Sequence, residues 1–185
     1  MIKPKEPFEA GGHAGRVLID RETLVTRVQE LGEAITADHR GEEIVLVTVL
    51  KGGFMFMADL CRCIDLPVSM DFMSVSSYGP DAAHGAVRIL KDLDDPIEGR
   101  PVIVVEDIID TGLTLNYLLK VLRQREPASL EVCVLLDKDV RRIVDLPIAY
   151  RGFTIPDEFV VGYGLDYRGR LRELPFVGVL DGPDV

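Results

Sequence analysis

Residues 102–105 read Val-Ile-Val-Val, four β-branched apolar positions with no polar residue between them. A strand with one face in water alternates apolar and polar residues, whereas an unbroken apolar run needs cover on both faces. Residues 132–136 (Val-Cys-Val-Leu-Leu) have the same character, as does Ile44–Leu50 apart from Thr48. The stretches between them carry helical spacing instead. Leu24, Val28, Leu31 and Ile35 form one stripe, opened by Asp20 as a cap and ended by Gly41. Phe54, Met57, Cys61 and Ile64 form a second, and Leu115, Leu118, Leu119 and Leu122 a third. Two further strands are expected at 68–75 and 87–90. Helices alternating with fully apolar strands predict an α/β fold: a central, mostly parallel twisted sheet flanked by helices.

The chain has 185 residues, 47% of them hydrophobic and 28% charged, enough for one domain, or one core with a small lobe attached. Residues 1–15, with Pro4, Pro7, Gly11, Gly12 and Gly15, are expected to be a loose lead-in. The tail alternates short apolar runs, 159–161 and 176–180, with a turn rich in Gly and Arg.

Charge and cysteine usage narrow the function classes. Twenty-one Lys plus Arg against 31 Asp plus Glu leave a net charge of −10, which repels a phosphate backbone and an anionic membrane alike. Nucleic-acid and membrane partners are therefore not expected. Cys61, Cys63 and Cys133 form no disulfide framework, and helical residues two apart point to different sides, so Cys61 and Cys63 make a poor metal pair. His13, His39 and His84 lack ligand spacing. With no apolar signal core at the N-terminus, a soluble cytoplasmic protein is expected. A dinucleotide fingerprint begun at Gly162 and Gly164 would need glycine where Tyr167 stands, and there is neither a P-loop nor a Gly-x-Ser-x-Gly elbow.

In parallel α/β sheets ligands bind beyond the carboxyl ends of the strands, so the residues after each apolar run matter most. After Val105 come Glu106, Asp107, Ile108, Ile109, Asp110, Thr111, Gly112, Leu113 and Thr114. The small residues let backbone N–H groups converge at a helix start, a ready anion site. Carboxylates beside a phosphate repel it unless a divalent cation or sugar hydroxyls intervene, so the combination favours a Mg²⁺-bound sugar phosphate. A plain capped helix would account for Asp110 and Thr111 but not for the Glu106-Asp107 pair.

This segment resembles, through its whole length, the phosphoribosyl-diphosphate (PRPP) motif of type I phosphoribosyltransferases. From about Val17 to Leu180 the chain is similar to the hypoxanthine–guanine phosphoribosyltransferases. The resemblance implies that family's fold, with a small hood lobe built from the chain's ends, residues 150–185 among them, in one domain over 1–185. It implies that Glu106 and Asp107 hold the ribose hydroxyls directly or through Mg²⁺. Asp110 would be the general acid/base near the purine N7, and Thr111, Gly112, Leu113 and Thr114 the 5′-phosphate cradle. Leu113 departs from relatives that carry Lys there, which implies altered detail in the phosphate or pyrophosphate contacts.

Four other segments gain roles from the same resemblance. Lys51-Gly52-Gly53 breaks the strand after Leu50, and glycines there permit close backbone approach to a ligand. The family's loop binds pyrophosphate and places a non-proline cis peptide between the Lys and the first Gly, here Lys51 and Gly52. Ser77 and Tyr78, in the polar stretch 76–85, would close as a lid over a cationic transition state that must be kept from water. Lys138 would donate to a 6-oxo group, which separates 6-oxopurines from adenine. Phe159 would stack on the base, with backbone groups near Val160 reading its edge. Asp166 would give a second Mg²⁺ contact and Arg172 would bind pyrophosphate.

The expected activity is transfer of the phosphoribosyl group from Mg²⁺-PRPP to hypoxanthine or guanine by a homodimer or homotetramer. A non-catalytic sensor of PRPP or nucleotide on the same fold, or a transferase for xanthine or a pyrimidine, stands as the alternative.

Overall fold

The computed structural model describes residues 13–77 and 87–181. The strands are β1 (His13–Ile19), β2 (Ile44–Leu50), β3 (Val68–Ser77), β4 (Val87–Lys91), β5 (Pro101–Ile109), β6 (Ser129–Asp137), β7 (Ile148–Thr154), β8 (Val160–Val161) and β9 (Val177–Asp181). The helices are α1 (Arg21–Asp38), α2 (Phe54–Leu60) and α3 (Leu113–Arg123). Six strands form a sheet in the order β4-β3-β2-β5-β6-β7, parallel throughout except for β4, which runs antiparallel to β3. This is the expected fold class. A second, antiparallel sheet of order β1-β9-β8 draws its strands from the two ends of the chain.

The alternation inside each run explains why it is apolar almost throughout. Ile44, Leu46, Ile103, Val105, Cys133 and Leu135 face the layer of α1 and α2. Their neighbours Val45, Val47, Val102, Val104, Val132 and Val134 face α3. Each such side chain taken fully out of water contributes roughly 1.5–3 kcal/mol, so polar substitution on either face is costly. The small sheet has its own core of Ala14, Val161, Leu171, Leu174 and Leu180.

α1 follows its sequence signals closely. The Asp20 carboxylate accepts from the Thr23 N–H at 2.8 Å, and Leu24, Val28, Leu31 and Ile35 are buried. Gly32 sits so close to Cys63 that a Cβ on it would fall 2.5 Å from the Cys63 Cβ. The helix ends with Gly41 just beyond, at φ +87°.

Three expectations need correction. The lead-in does not reach residue 15, because β1 begins at His13 and pairs with β9, His13 opposite Asp181. The stripe after β2 is shifted: Phe56, Met57 and Leu60 are buried while Phe54 is exposed, because α2 ends at Leu60 and Cys61–Cys63 tightens into a 3₁₀ turn. β5 does not stop at Val105 but runs on to Ile109, since pairing with β6 continues to Ile109 opposite Asp137. β7, which has mixed burial, was not anticipated.

Candidate active site

The extension of β5 decides the geometry. Residues adjacent on a strand face opposite ways, and Glu106 and Asp107 line two different cavities. The first, about 230 Å³, is walled by Glu106, Ile109, Asp110, Thr111, Gly112 and Thr114 at the start of α3. The second, about 320 Å³, is walled by Gly52, Asp107, Lys138, Phe159, Asp166 and Arg172, with Val160 behind. Ile108 borders both, so they adjoin across the end of β5.

In the first cavity Gly112 is held at φ +79°, and a Cβ there would come within 2.9 Å of Leu146. Only glycine meets both demands without strain. The turn sets the start of α3 against the cavity wall, and the N-terminus of a helix favours an anion. Leu113 is half-exposed and does not line this space. Arg141 Nε stands 3.1 Å from Asp110 Oδ1, within ion-pairing range yet misaligned, so that buried oxygen has no hydrogen-bond partner.

The two strand carboxylates are held against their charge. Burial, and then the neighbouring Asp107 charge, push Glu106 well above the usual carboxylate range. Burial also raises Asp107, although its own N–H, that of Ile108 at 2.9 Å and the Arg172 charge act the other way. Desolvated carboxylates without full compensation favour a cation or hydroxyl donors brought by a ligand. Among the described residues no three His, Cys, Asp or Glu side chains converge on one point. Carboxylate oxygens of this kind suit a hard divalent cation such as Mg²⁺.

The second cavity is assembled from four chain segments, at 52, 107–108, 138 and 159–172. At the end of β2 the cis peptide is Leu50–Lys51, one bond earlier than the Lys51–Gly52 bond expected, and it lies where the chain leaves the strand. Lys51 is exposed. Gly52 packs against the Asp107 carboxylate, and Gly53 against Thr48. Gly164, at φ +101°, abuts the Gly52 carbonyl, and Tyr163 donates its hydroxyl to Asp59 Oδ2 at 2.6 Å, which ties this loop to α2. Asp166 pairs with Arg172 at 2.5 Å and accepts from the Gly169 N–H at 2.7 Å. Arg172 also donates to the Gly164 carbonyl.

Lys138 is buried at the end of β6, its Nζ 3.4 Å from Asp157 Oδ1. Phe159 presents a 47% exposed ring, edge-on to Tyr167 with centroids 6.1 Å apart. Its carbonyl accepts from the Leu180 N–H, and Val160 is buried in β8.

Of the sequence candidates, Gly52, Asp107, Lys138, Phe159, Val160, Asp166 and Arg172 thus meet in one cavity, and Glu106, Asp110, Thr111, Gly112 and Thr114 in the other. The trio Glu106, Asp107 and Asp166 is split between them. Ser77 ends β3, and Tyr78 lies outside the described residues. Sequence reasoning missed Thr48, whose buried hydroxyl donates to the Val105 carbonyl at 2.6 Å just ahead of the two carboxylates. A single Thr inside an apolar run was the available signal. It also missed Arg141 and Asp157, charged residues for which neighbouring sequence gave no signal.

Comparison with known proteins places this geometry. The family model "Phosphoribosyl transferase domain" matches residues 19–168. A hypoxanthine phosphoribosyltransferase of Salmonella typhimurium is 52% identical over 169 residues, covering 90% of this chain and 95% of its own. A hypoxanthine-guanine phosphoribosyltransferase of Mycobacterium avium is 48% identical over 188 residues, covering 97% and 93%. The crystal structure of a hypoxanthine-guanine phosphoribosyltransferase from Bacillus anthracis superposes with a TM-score of 0.86 at 48% identity, over 92% of this chain and 99% of that one.

Proposed function

The chain belongs to the phosphoribosyltransferase family, and from that premise we propose that it transfers the 5-phosphoribosyl group of Mg²⁺-PRPP to N9 of hypoxanthine or guanine. One observation carries the reading: an anion cradle at the start of α3 adjoins, across Ile108, a cavity walled by a buried lysine and an exposed phenylalanine ring. A sugar phosphate and a planar 6-oxo base seated in these neighbours meet at the end of β5. The relatives' names support the purine as acceptor.

In this reading Thr111, Gly112, Leu113 and Thr114 hold the 5′-phosphate, Leu113 through its backbone alone. Glu106 and Asp107 accept from the ribose hydroxyls, and the ligand's charge and hydroxyls relieve their desolvation. Glu106, Asp107 and Asp166 would hold Mg²⁺, which would supply positive charge beside the diphosphate. Lys51, the Gly52 backbone and Arg172 steady the departing pyrophosphate. Lys138 donates to the 6-oxo group, while Phe159 stacks on the base and backbone groups near Val160 read its edge. As the C1′–diphosphate bond breaks, C1′ gains oxocarbenium character, which nearby carboxylates tolerate. Asp110 takes the N7 proton, the N9 electron pair forms the new bond to C1′, and pyrophosphate leaves. Proton transfer of this kind contributes about 10²–10⁴-fold. Ser77 and Tyr78 act as the lid.

The whole chain serves as one domain, with the terminal sheet as its hood, and the resemblance supports a homodimer or homotetramer. Its three free cysteines suit a reducing cytoplasm. Among the described residues no helix is long and apolar enough to cross a membrane. The test is direct. Protein, PRPP and Mg²⁺ are mixed with hypoxanthine, guanine, xanthine or uracil in parallel, and nucleotide is followed by chromatography. Nucleotide from the first two alone is expected, and none from any of the four refutes the assignment.

A further inference from the structure

We infer that Arg141 is a positioning residue for this reaction, one that holds Asp110 in place and frees Lys138 to meet the base. The inference rests on the proposed transfer and adds a residue to it. Arg141 closes the 3₁₀ turn Asp139–Arg141, its N–H donating to the Lys138 carbonyl at 3.1 Å. Backbone hydrogen bonds clamp this turn to the segment that carries Asp110. Lys138 N–H donates to Ile109 O at 3.0 Å, and Ile143 N–H donates to Thr111 O at 3.1 Å. The acceptors flank Asp110 on either side, and the donors bracket Arg141. The guanidinium is therefore delivered to Asp110 by main chain, and Nε reaches Oδ1 at 3.1 Å. A pre-set partner loses less freedom on pairing than one on a free loop.

The same guanidinium faces a second carboxylate. Arg141 Nη1 lies 3.4 Å from Asp157 Oδ1, and Lys138 Nζ lies 3.4 Å from that same oxygen. Two cations sharing one oxygen at long range leave neither tightly bound. When a 6-oxo group accepts from Lys138, Asp157 keeps Arg141 as its partner, so no carboxylate is stranded. Without Arg141 the ammonium is the partner that remains to Asp157, and the base must pull it away. An ammonium offers one point of charge and cannot span two carboxylates as the guanidinium fork does.

Arg141→Gln tests both halves, because the Arg141 and Asp110 side chains are each about half-exposed, which limits the cost of the change to the fold. Parent, Arg141→Gln, Arg141→Lys and Arg141→Gln/Asp157→Asn are assayed for kcat and for both KM values, with thermal melts as a check on folding. Arg141→Gln is expected to lower kcat about three- to tenfold and to raise KM for hypoxanthine by a similar factor, while KM for PRPP stays within about twofold. Adding Asp157→Asn is expected to return KM for hypoxanthine toward the parent value without restoring kcat. Arg141→Lys is expected to recover one of the two constants but not both. Unchanged kcat, an equal rise in both KM values, or no recovery in the double variant overturns the assignment. A parent protein that makes no nucleotide overturns the transfer reaction itself, which keeps the two failures distinct.

Discussion

Gly52→Ala gives the most direct reading of how backbone and chemistry are joined in this site. A Cβ built on Gly52 falls 1.7 Å from Asp107 Oδ2 and 2.6 Å from its Cγ, where real Cβ atoms essentially never come nearer than 3.0 Å. Gly52 is not among the residues with positive φ, so alanine meets no backbone strain and only the Asp107 carboxylate must yield. That carboxylate has to retreat by at least about 1.3 Å. Retreat is cheap for the fold, since a short side chain can leave its rotamer for about 0.5–1.5 kcal/mol. For function it is expensive, because a misplacement near 1 Å costs on the order of 10²-fold. The variant is therefore expected to melt within a few degrees of the parent and to lose about 10²-fold in kcat/KM, or about 2.7 kcal/mol of transition-state stabilisation. Asp107→Asn combined with Gly52→Ala should add little, because both act on one carboxylate. Circular dichroism, calorimetry with Mg²⁺-PRPP and steady-state kinetics supply the readings. A folded Gly52→Ala protein with kcat/KM within threefold of the parent would refute the claim that this glycine exists to seat Asp107.

Asp110→Asn is expected to lower kcat at least about tenfold while calorimetric binding of PRPP survives; unchanged turnover would remove Asp110 from proton transfer. Glu106 has its carboxyl raised by burial and then by Asp107, so its ionisation costs the ligand-free fold stability that is present below the unfolded value and lost as pH rises through the folded one. Glu106→Gln should then raise the ligand-free melting temperature at neutral pH and weaken PRPP binding, and a lower melting temperature would contradict this. His39 is pushed down by burial, but hydrogen bonds and charge from Glu42 at 2.8 Å and Glu131 at 3.3 Å outweigh that and raise it above its ordinary 6.5. Its contribution is whole below pH 6.5 and fades as pH rises through the folded value, so urea midpoints of His39→Gln should show a shallower decline over that interval than the parent. Thr48→Val removes the buried bond to the Val105 carbonyl and should cost about 1–3 kcal/mol in urea unfolding; a loss below 0.5 kcal/mol would show that β2 and β5 do not depend on it.

The local order of residues was enough to determine the inner strands of the central sheet and the turn into α3. The runs at Ile44–Leu50, 102–105 and 132–136 have apolar side chains on both faces, and only a covered parallel sheet satisfies them. The cap at Asp20, the stripe of α1 and the turn from Asp110 through Gly112 into α3 depend on neighbours a few positions apart, which the chain order states outright. What lies far apart in the chain had no such statement. β1 and β9 pair only after the ends of the chain are brought together. The end of β5 is set by pairing with β6, and that pairing alone sends Glu106 and Asp107 to separate cavities. Gly164 meets Gly52, and Arg141 meets both Asp110 and Asp157, by the packing of four strand ends. Charged residues such as these read as solvated along the chain because desolvation and partnership are properties of a surrounding volume, and that volume exists only in the folded molecule.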